Sequence, residues 1–309
     1  MQNTAPSGFG YDGAGNVTYD GANYYFYDAE GRVCAMQQGY SIMGGTLAYG
    51  YVYDAAGNRV AKGTVTPSPS PSTQPVSCDP TANGFQITEN YVLGPGGEEL
   101  TMLDGNNNWQ RTNVYAASKL IGTYDAAGLH FHLEDPLGTR RMQLSANPNS
   151  VGQPETDIQS LPYGDALYSF ADQYAPATAD DATPLHFTGK ERDAESGNDY
   201  FSARYYASAM GRFMSPDPLP WIHWQNGNRD DQQRFAAYIA NPQNFNMYAY
   251  VNNNPLNKTD PTGMNACGTK DDSTCKVTVT IRDRSRDGKG NYNDSFTGVK
   301  TKGTITPRL

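Results

Sequence analysis

The chain has 309 residues, of which only 37% are hydrophobic, and it holds 22 Tyr, 32 Gly and 20 Pro. With a mean hydropathy of −0.68, this mixture favours many short strands joined by tight turns and leaves little room for long helices. The formal charge of −9 argues against nucleic acid or an anionic membrane as the partner of the whole chain, since both require a cationic face.

The opening MQNTAPSGFG lacks the basic and apolar regions of a secretory signal, and no run of 18 apolar residues suggests a membrane span. A repeat then sets in. Tyr-Asp-x-x-Gly occurs at Tyr11, Tyr27, Tyr53 and Tyr124, at irregular spacing. Tyr suits the end of a strand, Asp can accept hydrogen bonds from the backbone just ahead of it, and Gly takes the positive φ of a hairpin turn. Alternating residues on both sides, as in YYFYDAEGRVCAM, mark hairpins. The Pro/Ser segment 64–76 is too poor in apolar residues to pack and reads as a solvated linker or loop tip.

Strand patterns resume with GFQITENYVLG, EELTMLD, WQRTNVYA, KLIGTYD and LHFHLEDPLG. His130 and His132 share one strand face, without an evident third metal ligand, and a strand-surface role is expected for them. The Pro-, Asp- and Ala-rich segment 149–182 reads as mostly loop. NRDDQQRFAAYIANP predicts one short helix near 228–241, with Asn228 as cap, Asp230 and Asp231 at its positive end and Pro242 beyond it. Trp221 and Trp224 just before it suit packing better than a binding platform.

From Asn265 onward the character changes. The tail carries 9 Lys/Arg against 5 Asp, leaving a net −13 for the preceding residues. Its RDRSRDGKG run reads as a solvated basic loop, and the tail offers too little apolar surface to be a stable domain alone. Cys34, Cys78, Cys267 and Cys275 allow three pairings and contain no CxxC; Cys267 and Cys275 bracket a short polar loop that a disulfide could close.

Two motifs flank the predicted helix. FTGKERDAESGNDYFSARYYASAMGRFMSPDP and NMYAYVNNNPLNKTDPTG closely resemble the RHS repeat-associated core domain, and HLEDPLGTRRMQLSANPN resembles the segment that precedes that core. The turns resemble YD repeats, so the likeness spans about Tyr11 to Met264. This resemblance implies an all-β fold in which YD-repeat hairpins form a spiral β-shell closed by a core plug. It implies a shell segment over 1–148, a core over 149–264 and a variable toxin or effector region over 265–309, here the start of a truncated one. It also implies secretion by a bacterium, as in toxin complexes and type VI effectors, with the chain's own tail as cargo, an immunity protein and secretion components as partners, and no cofactor or metal.

By motif position the resemblance assigns Arg204, Asp217 and Asp260 to an aspartic-type self-cleavage that severs Met264 from Asn265. The residue types suit this chemistry. Two close carboxylates do not both ionise cheaply, so one can hold a proton while the other activates water, and a buried Arg can orient one of them. The chain departs from the family in the insertion Leu219 to Phe245 between the aspartates and in Met rather than Leu before the cut. Asp-Pro is also a plain turn former, and Arg204 could simply pin a strand through an ion pair. The rival function is a non-cleaving surface module that uses rows of aromatic residues to bind carbohydrate or to adhere to another cell.

Overall fold

The computed structural model describes residues 8–39, 46–116, 119–165, 168–170, 181–218 and 227–264, with short strand pairs at 267–268, 277–278 and 304–305. Among these the fold is mostly β. Fourteen strands lie side by side in chain order in one antiparallel sheet with two open edges. They are β1 (Gly10–Tyr11), β2 (Val17–Tyr19), β3 (Asn23–Tyr27), β4 (Val33–Gln38), β5 (Ala48–Tyr53), β6 (Arg59–Thr64) and β7 (Gln86–Leu93), then β8 (Glu99–Asp104), β9 (Trp109–Ala116), β10 (Lys119–Asp125), β11 (Gly128–Glu134), β12 (Arg140–Ser145), β13 (Pro154–Gln159) and β14 (Tyr168–Phe170). Strands β13 and β14 occupy the stretch expected to be mostly loop, where Glu155, Thr156 and Ile158 are buried.

The turns explain the meander. At Asp12, Asp28 and Asp54 the carboxylate accepts from the backbone N–H groups two and four residues on. The Asp backbone N–H donates to the carbonyl four residues on, and the Gly N–H donates back to the Asp carbonyl. Asp104 and Asp135 make the same turn without the Tyr-Asp signature. The copy at Tyr124 differs: Asp125 pairs directly with Gly128, a tighter two-residue loop. Just before Tyr27 and Tyr53 the register slips by one residue, the mark of a bulge that strengthens strand twist.

The Pro/Ser segment is exposed over most of its length but tied down at its ends. Val65 and Val76 are buried with Phe26, Ala35 and Ala48, Gln37 exchanges hydrogen bonds with the Ser68 backbone, and Cys34 is bonded to Cys78. Cys275 and the Cys267 side chain lie outside the described residues, as do Trp221, Trp224 and the RDRSRDGKG run.

From β9 to β12 the polarity of the sheet is inverted. Arg111, Asn113, Thr123, His130, His132 and Gln143 are buried, whereas Val114, Ile121, Tyr124, Leu129, Phe131 and Leu133 are exposed. His130 and His132 are therefore not surface residues. His130 Nδ1 pairs with Glu155 at 2.6 Å and His132 Nε2 with the Thr123 hydroxyl at 2.9 Å, so each ring has a polar partner inside, although His132 Nδ1 has none among the described residues. Among the described residues no group of three or more His, Cys, Asp or Glu is arranged to hold a metal ion.

A second sheet packs against the first. It contains β15 (Glu191–Arg192), β16 (Asp199–Tyr200), β17 (Tyr205–Ala207) and β18 (Arg212–Phe213). Tyr205, Ala207 and Met214 join Val17, Tyr25, Val33, Met36 and Tyr51 of the meander in one core. Arg59 crosses between the sheets, meeting Glu191 at 2.6 Å and Asp193 at 2.9 Å. The helix α1 (Arg229–Ile239) forms as predicted, with Asn228 and Asp231 in a reciprocal capping box.

Candidate active site

The motif residues sit where the second sheet meets the end of the described core. Phe201, Tyr206, Phe213, Tyr250 and Val251 pack their side chains together and fix the backbone around Arg204. The Arg204 guanidinium lies 3.7 Å from the centre of the Phe213 ring. Its Nη1 donates to the Met247 carbonyl at 3.1 Å, and its Nε donates to the Gly263 carbonyl.

The third nitrogen, Nη2, faces both aspartates, 3.7 Å from Asp217 Oδ2 and 3.6 Å from Asp260 Oδ2. Burial pushes the guanidinium below its usual range, while Asp217 and then Asp260 pull it up.

The inserted segment does not separate the carboxylates. The chain departs after Asp217 and returns alongside it: the Asp217 N–H donates to Met247 O at 2.8 Å and the Phe213 N–H to Tyr248 O at 2.9 Å. Helix α1 thus hangs from a closed neck. A further bend follows, where Val251, Asn252 and Asn253 all take positive φ of 44°, 54° and 60°. Left-handed backbone is unusual for a β-branched residue and commoner for Asn. This run turns the chain back toward the strand β19 (Lys258–Thr259), which ends just before Asp260.

Asp260 is sealed, with 3% of its side chain exposed, whereas Asp217 is 30% exposed. Asp217 and Arg204 line an open cleft of about 650 Å³ whose other wall is built from the first two Tyr-Asp turns, including Asn16, Ala29 and Glu30. Asp260 Oδ1 accepts from the Thr262 N–H at 3.3 Å and the Met264 N–H at 3.0 Å, so the residue before the expected cut is tied to the expected catalytic carboxylate. Beyond it, Lys258 and Thr259 pair with Gly268 and Cys267 of β20 (Cys267–Gly268). Asn265 lies outside the described residues.

The structure therefore brings Arg204, Asp217, Asp260 and Met264 together. The sequence reading missed Lys190, whose Nζ donates to the Pro261 carbonyl at 2.5 Å. Its signal was present in FTGK, inside the core motif, but a lone Lys suggests no role without the fold.

Fold and site together define an all-β chain of many hairpins with a small aromatic core that presents two aspartates to one arginine. No family model matches the chain. By sequence it is similar to the tRNA nuclease WapA of Bacillus subtilis (strain 168), at 28% identity over 265 residues, covering 82% of this chain and 9% of the relative. It is similar also to the toxin subunit YenC2 of Yersinia entomophaga, at 33% identity over 226 residues, covering 69% of this chain and 19% of that one. The chain is thus related to toxin proteins of the RHS and Tc type, and it spans only 9% and 19% of the length of these two relatives.

Among solved structures, the TcdB2-TccC3-Cdc42 crystal structure matches with 18% identity and a TM-score of 0.35, over 83% of this chain and 17% of that one. The Photorhabdus luminescens Tc holotoxin pore matches with 17% identity and a TM-score of 0.31, over 83% and 16%.

Proposed function

We propose that this chain is shell and core of an RHS-type toxin, and that it cuts itself after Met264 to free the C-terminal cargo that follows. The observation that carries this reading is the single Arg204 nitrogen facing both Asp217 and Asp260, with the Met264 N–H held by Asp260. Asp217 is the more exposed acid and borders the cleft, so it is the one that water reaches.

In the proposed step Asp217 takes a proton from water as the water oxygen bonds to the Met264 carbonyl carbon. The carbon–nitrogen bond to Asn265 then breaks, and Asp217 returns the proton to the departing nitrogen. Asp260 and Arg204 hold the segment in place. Because the chain delivers its own target, positioning of this kind can contribute on the order of 7–11 kcal/mol to lowering the barrier. The event occurs once per molecule. The toxin-related names of WapA and YenC2 support cargo release in bacterial competition or host intoxication, outside the producing cell.

Intact-mass measurement tests the proposal. The wild-type chain is expected to yield a fragment ending at Met264, and Asp217→Asn is expected to remain at 33.7 kDa. A second reading, a non-cleaving module that binds carbohydrate on its outer face, draws on Trp109 and Tyr124, which are 40% and 51% exposed with ring centres 5.4 Å apart. An uncut wild-type chain is what that reading requires.

A further inference from the structure

Three consecutive carbonyls precede Met264, and each has its own donor. Lys190 Nζ donates to Pro261 O at 2.5 Å, the Ala203 N–H to Thr262 O at 3.1 Å, and Arg204 Nε to Gly263 O. The N–H groups of Thr262 and Met264 go to Asp260. The backbone leading to the expected cut is therefore held on both sides, a fixed geometry that favours a reacting conformation before water arrives.

Of these donors Lys190 is the only one from outside the 201–204 turn. Its own backbone is fixed: the N–H donates to Phe187 O, and the carbonyl accepts from the His186 N–H. The half-buried side chain reaches across to Pro261, with Nζ 5.5 Å from the centre of the Phe201 ring. Asp260 is the charged group that acts on it. Withdrawing an ammonium even partly from water for one carbonyl and one carboxylate carries a cost that an apolar residue of similar length would not.

Resting on the self-cleavage reading, we infer that Lys190 is a positioning residue for the cut, gripping the Pro261 carbonyl so that the 260–264 segment stays seated against Asp260 and Arg204. Burial lowers the Lys190 ammonium to about 8, with Asp260 pulling the other way. Its grip therefore weakens as the pH rises through about 8, where the amine loses its charge.

The experiment follows cleavage of the full chain by intact mass between pH 6 and 9, for wild type, Lys190→Met, Lys190→Arg and Asp260→Asn. Wild type is expected to slow above about pH 8. Lys190→Met should be at least tenfold slower below about pH 8, with the gap to wild type narrowing above it, and Lys190→Arg should cut without the alkaline loss, because a guanidinium keeps its charge there. Circular dichroism establishes that each variant is folded. If Lys190→Met does not fold, the pH profile of Lys190→Arg decides. Wild-type cutting abolished by Asp260→Asn but unchanged in Lys190→Met, or an alkaline loss that persists in Lys190→Arg, overturns this inference and leaves the self-cleavage reading standing. A wild-type chain that stays intact overturns both.

Discussion

Gly263 shows how narrowly the candidate site is built. Its φ is +74°, and a Cβ there would come within 2.7 Å of the Phe201 carbonyl oxygen and 3.2 Å of the Arg204 nitrogen. Both are backbone atoms and cannot swing aside. The carbonyl of Gly263 is also the acceptor for Arg204 Nε. Gly263→Ala is expected to cost about 2 kcal/mol of stability from the positive φ and the crowding combined, and to slow or abolish formation of the fragment ending at Met264. Thermal unfolding and intact mass on the same sample check both halves. Residues of this kind were only partly legible in the sequence. Arg204, Asp217 and Asp260 stood out through the core motif, because Asp-Pro on its own indicates no more than a turn. Lys190 and the Met247 carbonyl did not stand out, since their parts depend on contacts across 71 and 43 residues of chain.

At the level of elements, local chemistry could be read where it was self-contained. The cap of α1, the Asp-led turns and the strand alternation all rest on residues within a few positions of one another, so the hairpins and helix α1 were visible in advance. The inverted faces of β9–β12 were not. Strand periodicity shows which residues share a face but not which face is buried, and His130 and His132 went inward because Glu155, Gln143 and Thr123 meet them there. The disulfide was likewise undecided among three pairings until the loop after β6 folded back to bring Cys78 beside Cys34, across a separation of 44 residues. A crosslink closing a loop of that length stabilises by about 4 kcal/mol through the unfolded chain, and by about 2–4 kcal/mol in typical measurements. Cys34→Ser is therefore expected to lower the stability measured by urea unfolding by about 2–4 kcal/mol, and reductant should bring the wild type to the same value. A variant as stable as wild type would show that the burial of Val65, Val76 and Phe85 pins the loop without the bond.

Across the whole molecule, the junction of the two sheets is ionic as well as aromatic. Arg59 and Lys62 of β6 meet Glu191, Asp193 and Glu195 around the second sheet, and Lys62 also meets Glu89 of β7. Burial dominates the titration of several acids here. It raises Asp193 against the pull of Arg59, raises Asp199 to about 6 against Arg192, and raises Glu134 to about 7 against Lys119. Each of these acids binds its proton more tightly in the folded chain than in the unfolded one, where Asp and Glu titrate near 3.8 and 4.5. Their contribution to stability is therefore complete at low pH and is lost as the pH rises through 6 to 7. His132 acts in the opposite sense: burial lowers it to about 3, so its contribution is complete above 6.5 and is lost as the pH falls toward 3. Between about pH 4 and 6.5 the two effects oppose each other, whereas from 6.5 to 8 the acids act with no change in His132. Lys190, lowered to about 8, stays mostly charged up to about pH 7 and is half charged at about pH 8, so it opposes the acids only at the upper end of that interval. The thermal midpoint is accordingly expected to fall between pH 6.5 and 8. Glu134→Gln should shrink that fall, because it removes one of the protons that the folded state holds, while leaving the Arg59 cluster intact. A midpoint that is flat or rises over the same interval would mean that these carboxyls are already ionised at pH 6.5, held so by their cationic neighbours rather than kept neutral by burial.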